Sequence, residues 1–223
     1  MHGAGQPFRK ADEWMSADHA LGYLARADRI PHRTEGERAL LELVPPRARR
    51  LLDLGTGDGR LLALLRADRP ETEGVALDYS EAMLAAASKR FADDPLVKVA
   101  RHDMAAPLPG SLGRFDAVVS SFAIHHLAHA RKRALFREIF ALLEPGGVFC
   151  NLEHVSSPTP ALHAAFLEAM GSTPEDEDRS NKLLDVGTQL RWLEEAGFSD
   201  VDCHWKWLEF ALLAGVKPRL QHA

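Results

Sequence analysis

The sequence predicts an α/β protein whose core is a mostly parallel sheet covered by helices on both faces. Three observations carry that expectation. Short, almost continuously apolar runs alternate with longer segments whose apolar residues recur at helical spacing, the pattern of strands buried on both faces. The first such run leads into "GTGDG", three glycines in five positions. The last two runs follow each other with too little chain between them for a crossover, so they predict an antiparallel pair.

In order, the N-terminal residues 1–46 read as helical ("ADEWMSADHALGYLARADRI", then "TEGERALLELV") and end at Pro45-Pro46, which suggests a cap rather than a domain. Residues 47–223 form the body. "RRLLDL" is the first strand, then come the glycines and the helix "RLLALLRAD". "EGVALD" is a strand, followed by "SEAMLAAASKRFA", a helix with Ser80 placed to cap it. "LVKVARHD" and "FDAVVSSFAI" are the third and fourth strands. "RKRALFREIFALLEPGG" is a helix that Pro145-Gly146-Gly147 stops, and "VFCNLEHV" is the fifth strand. Residues 156–185 read as a helical insertion, with Thr159 and Pro160 as cap and first-turn pair. "VGTQLRWLEEAGF" is an amphipathic helix ending in Gly197, and "VDCHWKWLEFALLAGV" holds the final strand pair. Strict alternation there sets Cys203, Trp205 and Trp207 on one face, with core packing as the first reading, and Lys206 on the other.

Composition narrows the classes of function. Forty-six per cent hydrophobic and 26% charged residues are globular values. A net charge of −5 lacks the basic footprint of sequence-independent nucleic-acid binding. Cys150 and Cys203 are far apart with no C-x-x-C, so neither a zinc site nor a disulfide framework is indicated. The N-terminus lacks the apolar core of a secretory signal, and no run reaches the roughly 18 apolar residues of a membrane span. The expectation is a cytoplasmic protein, monomer or homodimer, away from membranes.

Spacing then separates the ligands a glycine loop can hold. A dinucleotide fingerprint needs a third glycine five residues after the first, and Arg60 stands there. A P-loop needs a lysine, and the loop has none. Asp53 and Asp58 would repel a pyrophosphate and attract an ammonium group. Asp78 ends the second strand, 19 residues after Gly59, where a carboxylate can accept the hydroxyls of a ribose. Asp103, beside Met104, can accept a hydrogen bond from an adenine amino group while an apolar neighbour covers the ring. An adenosine whose tail carries an ammonium instead of phosphates is S-adenosylmethionine.

The run "LLDLGTGDGRL…GVALDYSEAML…VKVARHDMAAPLP…FDAVVSSFAIHHL…LEPGGVF" resembles the class I S-adenosylmethionine-dependent methyltransferases over residues 50 to 150, each block at the end of a predicted strand. The resemblance implies a doubly wound, Rossmann-like sheet of seven strands, the last antiparallel, with a helical lid. It implies that Asp53, Gly55, Thr56 and Gly57 hold the methionine part and Asp78 the ribose. Tyr79 or Met83 would flank the adenine, whose amino group would meet Asp103 beside Met104. Ser120 and Ser121 would lie near the transferred methyl.

A small-molecule acceptor would enter where the fourth and fifth strands end. His125 and His126 are candidates for a general base, or else cap the next turn. Glu153 and His154 could bind or deprotonate a substrate. No metal is required. Trp14, Arg29 and His32 are substrate-side candidates in the cap; the aromatic residues Trp14 and Tyr23 shield the sulfonium or simply pack the cap helices. Arg179 is either a solvated loop residue or a carboxylate ligand, as in relatives that carboxylate the cofactor. The alternatives are thus a carboxy-S-adenosylmethionine synthase, a nicotinamide-dependent oxidoreductase, and a non-catalytic module that senses the cofactor.

Overall fold

A computed structural model describes residues 30–219. Trp14, Tyr23 and Arg29 lie outside them. Helix α1 (Arg33–Leu43) is followed by β1 (Arg50–Leu54), α2 (Arg60–Ala67), β2 (Glu73–Asp78), α3 (Glu81–Arg90), β3 (Val97–Arg101) and β4 (Phe115–Ser121). Then come α4 (His129–Leu142), β5 (Leu143–His154), α5 (Pro160–Met170), α6 (Val186–Ala196), β6 (Ser199–Trp207) and β7 (Phe210–Val216). The seven strands lie in the order β3-β2-β1-β4-β5-β7-β6. The first five pair in parallel, and β7 runs antiparallel to both β5 and β6. The doubly wound expectation holds.

The apolar runs look continuous in sequence because both faces of each strand are covered. Period-2 alternation sorts them into two layers. Leu52, Leu54, Val75, Leu77, Val118, Phe149 and Leu213 face Leu135, Ile139 and Leu193 of α4 and α6. Leu51, Ala76, Ala117, Val119, Cys150 and Leu152 face Leu40 of α1 and Leu61 and Leu65 of α2. Gly36 lets α1 sit close, since a Cβ there would lie 2.7 Å from Leu152 Cδ1 and 2.9 Å from Trp205 Cζ3.

Three local expectations need correction. Ser80 occupies the N-cap position of α3, but its side chain makes no capping bond; its own N–H donates to Asp78 Oδ1 at 2.9 Å. The α4 helix ends at Leu142, before Pro145-Gly146-Gly147, which open the β5 segment. In β6, Cys203 pairs with Leu213 but Trp205 pairs with Leu212, so one extra residue intrudes. That bulge reverses the parity: Cys203 packs with the α4–α6 layer, whereas Trp205 packs with the α1–α2 layer. The expected Thr159 cap is present, its oxygen accepting from Leu162 N–H at 3.3 Å.

Candidate active site

The glycine loop turns from β1 into α2 through three left-handed residues, Gly55 (φ 68°), Gly57 (φ 57°) and Gly59 (φ 82°). The N–H groups of Gly55 and Thr56 both donate to the Leu77 carbonyl, at 2.8 and 2.9 Å, which ties the loop to β2. A Cβ on Gly55 would stand 2.2 Å from Ala123 Cβ, so only glycine lets the chain leaving β4 back onto the loop. That chain turns sharply at Phe122, which holds φ 51°, a region costly for a non-glycine residue and concentrated at functional sites.

These loops enclose a cavity of about 900 Å³, counted with its open mouth. Of the residues expected to hold a cofactor, Asp53, Gly55, Thr56, Gly57, Asp78, Tyr79, Met83, Asp103, Met104 and Ser121 line it. Ser120 does not. The register that pairs Asp53 with Val119 and Leu54 with Ser120 places Asp53 on the α1–α2 face and Ser120 on the opposite one. There the Ser120 hydroxyl donates to the Leu54 carbonyl at 2.8 Å. Six lining residues not expected from sequence are Arg33, Leu61, His102, Phe122, Ala123 and Leu127.

The acids are differently prepared. Asp53 is buried and accepts a hydrogen bond from Thr56 Oγ1 at 2.6 Å. Burial outweighs that bond and, with Asp78 nearby, pushes its carboxyl up to about 7. Asp78 accepts from Gly57 N–H and Ser80 N–H, each at 2.9 Å, which orients both carboxylate oxygens. Its carboxyl is also raised, by burial, against those backbone bonds. Asp58 is already paired with Arg90 and accepts from Arg60 N–H at 3.2 Å, so much of its charge is compensated. Asp103 is exposed at the rim.

Two buried polar atoms on residues of this wall, His102 Nε2 and Ser121 Oγ, have no hydrogen-bond partner among the described residues. Buried groups in that state lose about 1–3 kcal/mol each unless a ligand or water satisfies them. A glycine cradle, paired acids and orphaned polar atoms fit S-adenosylmethionine. A phosphate-bearing nucleotide would meet the acids instead.

Of the histidine and glutamate candidates only His126 lines the cavity; they form two hydrogen-bonded groups, and the His125 and His154 rings meet edge to face, 5.8 Å apart, between them. His125 Nδ1 is hydrogen-bonded to Glu153 Oε1 at 2.6 Å, and both are buried. Burial, with His154 and Lys132 nearby, holds His125 well below the usual imidazole value and raises Glu153. Lys132, buried in the same layer, donates to the Lys182 carbonyl and is brought down to about 8 by burial. Neither His125 nor Glu153 lines the cavity. His126 does; its Nδ1 meets Ser180 Oγ at 2.8 Å, and burial beside His125 takes it down to about 3.

His154 sits on the sheet face shared with Asp53 and Ser121. Its Nε2 is hydrogen-bonded to Glu209 Oε2 at 3.0 Å, and its Nδ1 has no partner among the described residues. Burial tends to raise Glu209, but hydrogen bonds from His154, Ser157 and His163 outweigh it and hold the carboxyl below its ordinary value. Phe166 and Phe210 flank His154 at ring distances of 5.1 and 5.6 Å. Sequence could not reveal this dyad, because Glu209 lies 55 residues downstream in the β6–β7 turn.

The remaining substrate-side candidates are peripheral to the cavity. His32 occupies the N-cap position of α1 without a side-chain capping bond; its Nδ1 is hydrogen-bonded to Glu35 Oε2 at 2.9 Å, and its ring stacks on Trp207 with centroids 4.3 Å apart. Arg179 is exposed and does not line the cavity.

Comparison with known proteins agrees with this geometry. A family model described as a methyltransferase domain matches residues 51–147. A demethylmenaquinone methyltransferase of Clavibacter sepedonicus is 31% identical over 198 residues, covering 81% of this chain and 78% of that one. A ubiquinone/menaquinone biosynthesis C-methyltransferase of Methylobacterium nodulans is 33% identical over 192 residues, covering 76% and 74%. Human N-acetylserotonin methyltransferase, solved in complex with S-adenosylmethionine, superposes with a TM-score of 0.66 at 18% identity. That alignment covers 92% of this chain and 57% of the human one. The nicotinamide-dependent alternative is overturned by these relatives.

Proposed function

We propose that this chain, which belongs to the class I S-adenosylmethionine-dependent methyltransferases, methylates a small hydroxylated aromatic acceptor, with His154 as general base. The carrying observation is the His154–Glu209 dyad. Its histidine is held through Nε2 by a buried carboxylate, and lies on the same sheet face as Asp53 and Ser121. The aromatic side chains Phe122, Phe166, Trp207 and Phe210 cluster around it, Phe166 and Phe210 largely buried, an apolar wall of the kind that packs against a flat ring. Two relatives named for menaquinone or ubiquinone methylation support an acceptor of this kind and a carbon as its methylated atom.

When bound, S-adenosylmethionine supplies an electrophilic methyl group, so the protein mainly positions the acceptor and handles its proton. His154 Nδ1 takes the proton of the ring hydroxyl. With the cofactor bound, the ring carbon beside that hydroxyl would accept the methyl as the methyl–sulfur bond broke, and the proton on that carbon would pass to the ring oxygen to restore the aromatic phenol. Ionised Glu209 holds the imidazole tautomer and stabilises the imidazolium, as in other carboxylate–histidine dyads. His125 and Glu153, packed with Lys132, support the turn that presents His126. Helix α5, through Phe166 and Leu167, covers the aromatic side as part of a lid.

The test is transfer of labelled methyl to 1,4-dihydroxynaphthalene. His154→Gln should lower the rate by about 100-fold, within the range for a lost general base, with S-adenosylhomocysteine affinity unchanged. Wild-type protein that ignores hydroxylated rings but methylates amines would overturn the acceptor class. An unimpaired His154→Gln variant would overturn the base.

A further inference from the structure

Glu209 has two carboxylate oxygens, and the dyad with His154 uses one of them. Its Oε2 meets His154 Nε2 at 3.0 Å, while its Oε1 meets Nδ1 of a second imidazole, His163, at 2.8 Å. Glu209 is buried, in the turn between β6 and β7. His163 belongs to helix α5, three and four residues before Phe166 and Leu167, so the three share one helix face. Phe166 lies 5.1 Å, centre to centre, from the His154 ring. Helix α5 therefore touches both members of the dyad. Resting on the assignment of His154 as general base, we propose that His163 is a positioning residue: it fixes Glu209 behind His154, so that the base is aimed when the α5 lid is seated.

The way α5 is attached gives this bond its weight. The helix docks through Phe166 and Leu167 against Phe210, a cluster separate from both layers of the sheet core. So small an apolar contact leaves an element among the more easily opened parts of a fold. A charge-assisted hydrogen bond to a buried carboxylate is then a large share of what holds it. The titratable groups that face His163 are Glu209, Glu177 of the segment before α6, whose Oε1 is 3.4 Å from His163 Nε2, and His154 behind Glu209. Carboxylates thus face both ring nitrogens, an arrangement that only the doubly protonated imidazolium satisfies. The Glu209 hydrogen bond, with the charges of Glu209 and Glu177, holds His163 above its ordinary value against burial. With that cation on Oε1, Glu209 stays ionised and its pull on the His154 proton is moderated. His154 then remains neutral, and able to accept a proton, to lower pH.

The test is kcat against pH, from about pH 5 to 9, for methyl transfer to 1,4-dihydroxynaphthalene by wild type, His163→Leu, His163→Asn and His154→Gln. His163→Leu should lower the plateau kcat about tenfold, the effect of one lost hydrogen bond to a charged group, with S-adenosylhomocysteine affinity unchanged. His163→Asn keeps a donor at the Nδ1 position without the charge. It should recover the plateau to within about threefold of wild type. Its acid limb should move about one unit to higher pH, because the uncompensated glutamate holds the His154 proton more tightly. His163→Leu at the wild-type rate, His163→Asn as slow as His163→Leu, or an acid limb in its wild-type place each overturn the proposal; loss of packing alone would give the last two together. His154→Gln separates the role of His163 from that of the base. If that variant is unimpaired, the base itself falls; if it is impaired while His163→Leu is not, only the role of His163 falls. Should His163→Leu fail to fold, the acid limb of His163→Asn decides alone.

Discussion

Asp53 offers the most quantitative test, because its environment in the ligand-free protein opposes its charge. Burial holds its carboxyl at about 7, against 3.8 in the unfolded chain. Each tenfold is about 1.4 kcal/mol, so keeping this group ionised in the folded state costs about 4 kcal/mol. Its folded value lies above its unfolded one. The ligand-free protein therefore loses stability as pH rises from about 4 to about 7, and the loss levels off above that. Asp53→Asn removes the penalty and keeps an acceptor for Thr56 Oγ1. The variant should exceed wild type in unfolding free energy at pH 8 by up to about 4 kcal/mol, and by little at pH 4. Binding should show the reverse pattern. A cofactor ammonium that requires ionised Asp53 meets about one tenth of the molecules in that state at pH 6 and about nine tenths at pH 8. S-adenosylhomocysteine affinity should thus rise about tenfold across that range in wild type, and should be weak and flat with pH in Asp53→Asn. Isothermal calorimetry and thermal unfolding at the two pH values read both effects. A flat wild-type affinity from pH 6 to 8, or an Asp53→Asn variant less stable than wild type at pH 8, refutes the reasoning.

Other outcomes follow from the same geometry. Asp78→Ala should weaken S-adenosylhomocysteine binding by about 1.5–3 kcal/mol, the range for hydrogen bonds to a charged group; unchanged affinity would mean that the ribose lies elsewhere. Gly36→Ala should cost about 1–3 kcal/mol of stability by overpacking, because its Cβ would collide with Leu152 and Trp205; chemical denaturation measures this, and a neutral result would show that α1 shifts freely. The buried Cys150 thiol, pushed up to about 12 by burial, should resist a thiol reagent in the native protein at pH 8 and react once unfolded. Native reactivity would mean that the β5 core opens readily.

The strands and their order of use were legible because burial on both faces leaves a dense apolar signal in each one. The cofactor loop was legible for a more local reason. Gly55, Gly57 and Gly59 encode left-handed backbone directly, and Arg60 and the acids exclude phosphate ligands without reference to any distant residue. Ser120 shows where that reasoning stops. Two adjacent serines end β4, and only register against β1 decides that Ser121 faces the cavity while Ser120 bonds to Leu54. The β6 bulge is similar, since alternation in the sequence assigned Cys203 and Trp205 to one face and pairing with β7 put them on two.

The sequence by itself therefore determined the sheet, the cofactor and most of the residues that line the cavity, because each rests on local backbone conformation or on strand ends. Only the tertiary structure decided how the histidines are paired. It paired His125 with Glu153 and His154 with Glu209, and it brought Arg33 from α1 to the cavity wall. Those contacts join residues 28 and 55 positions apart. Their chemistry depends on burial and on which face of the sheet each side chain takes, and both are set by packing between elements rather than by neighbours in the chain.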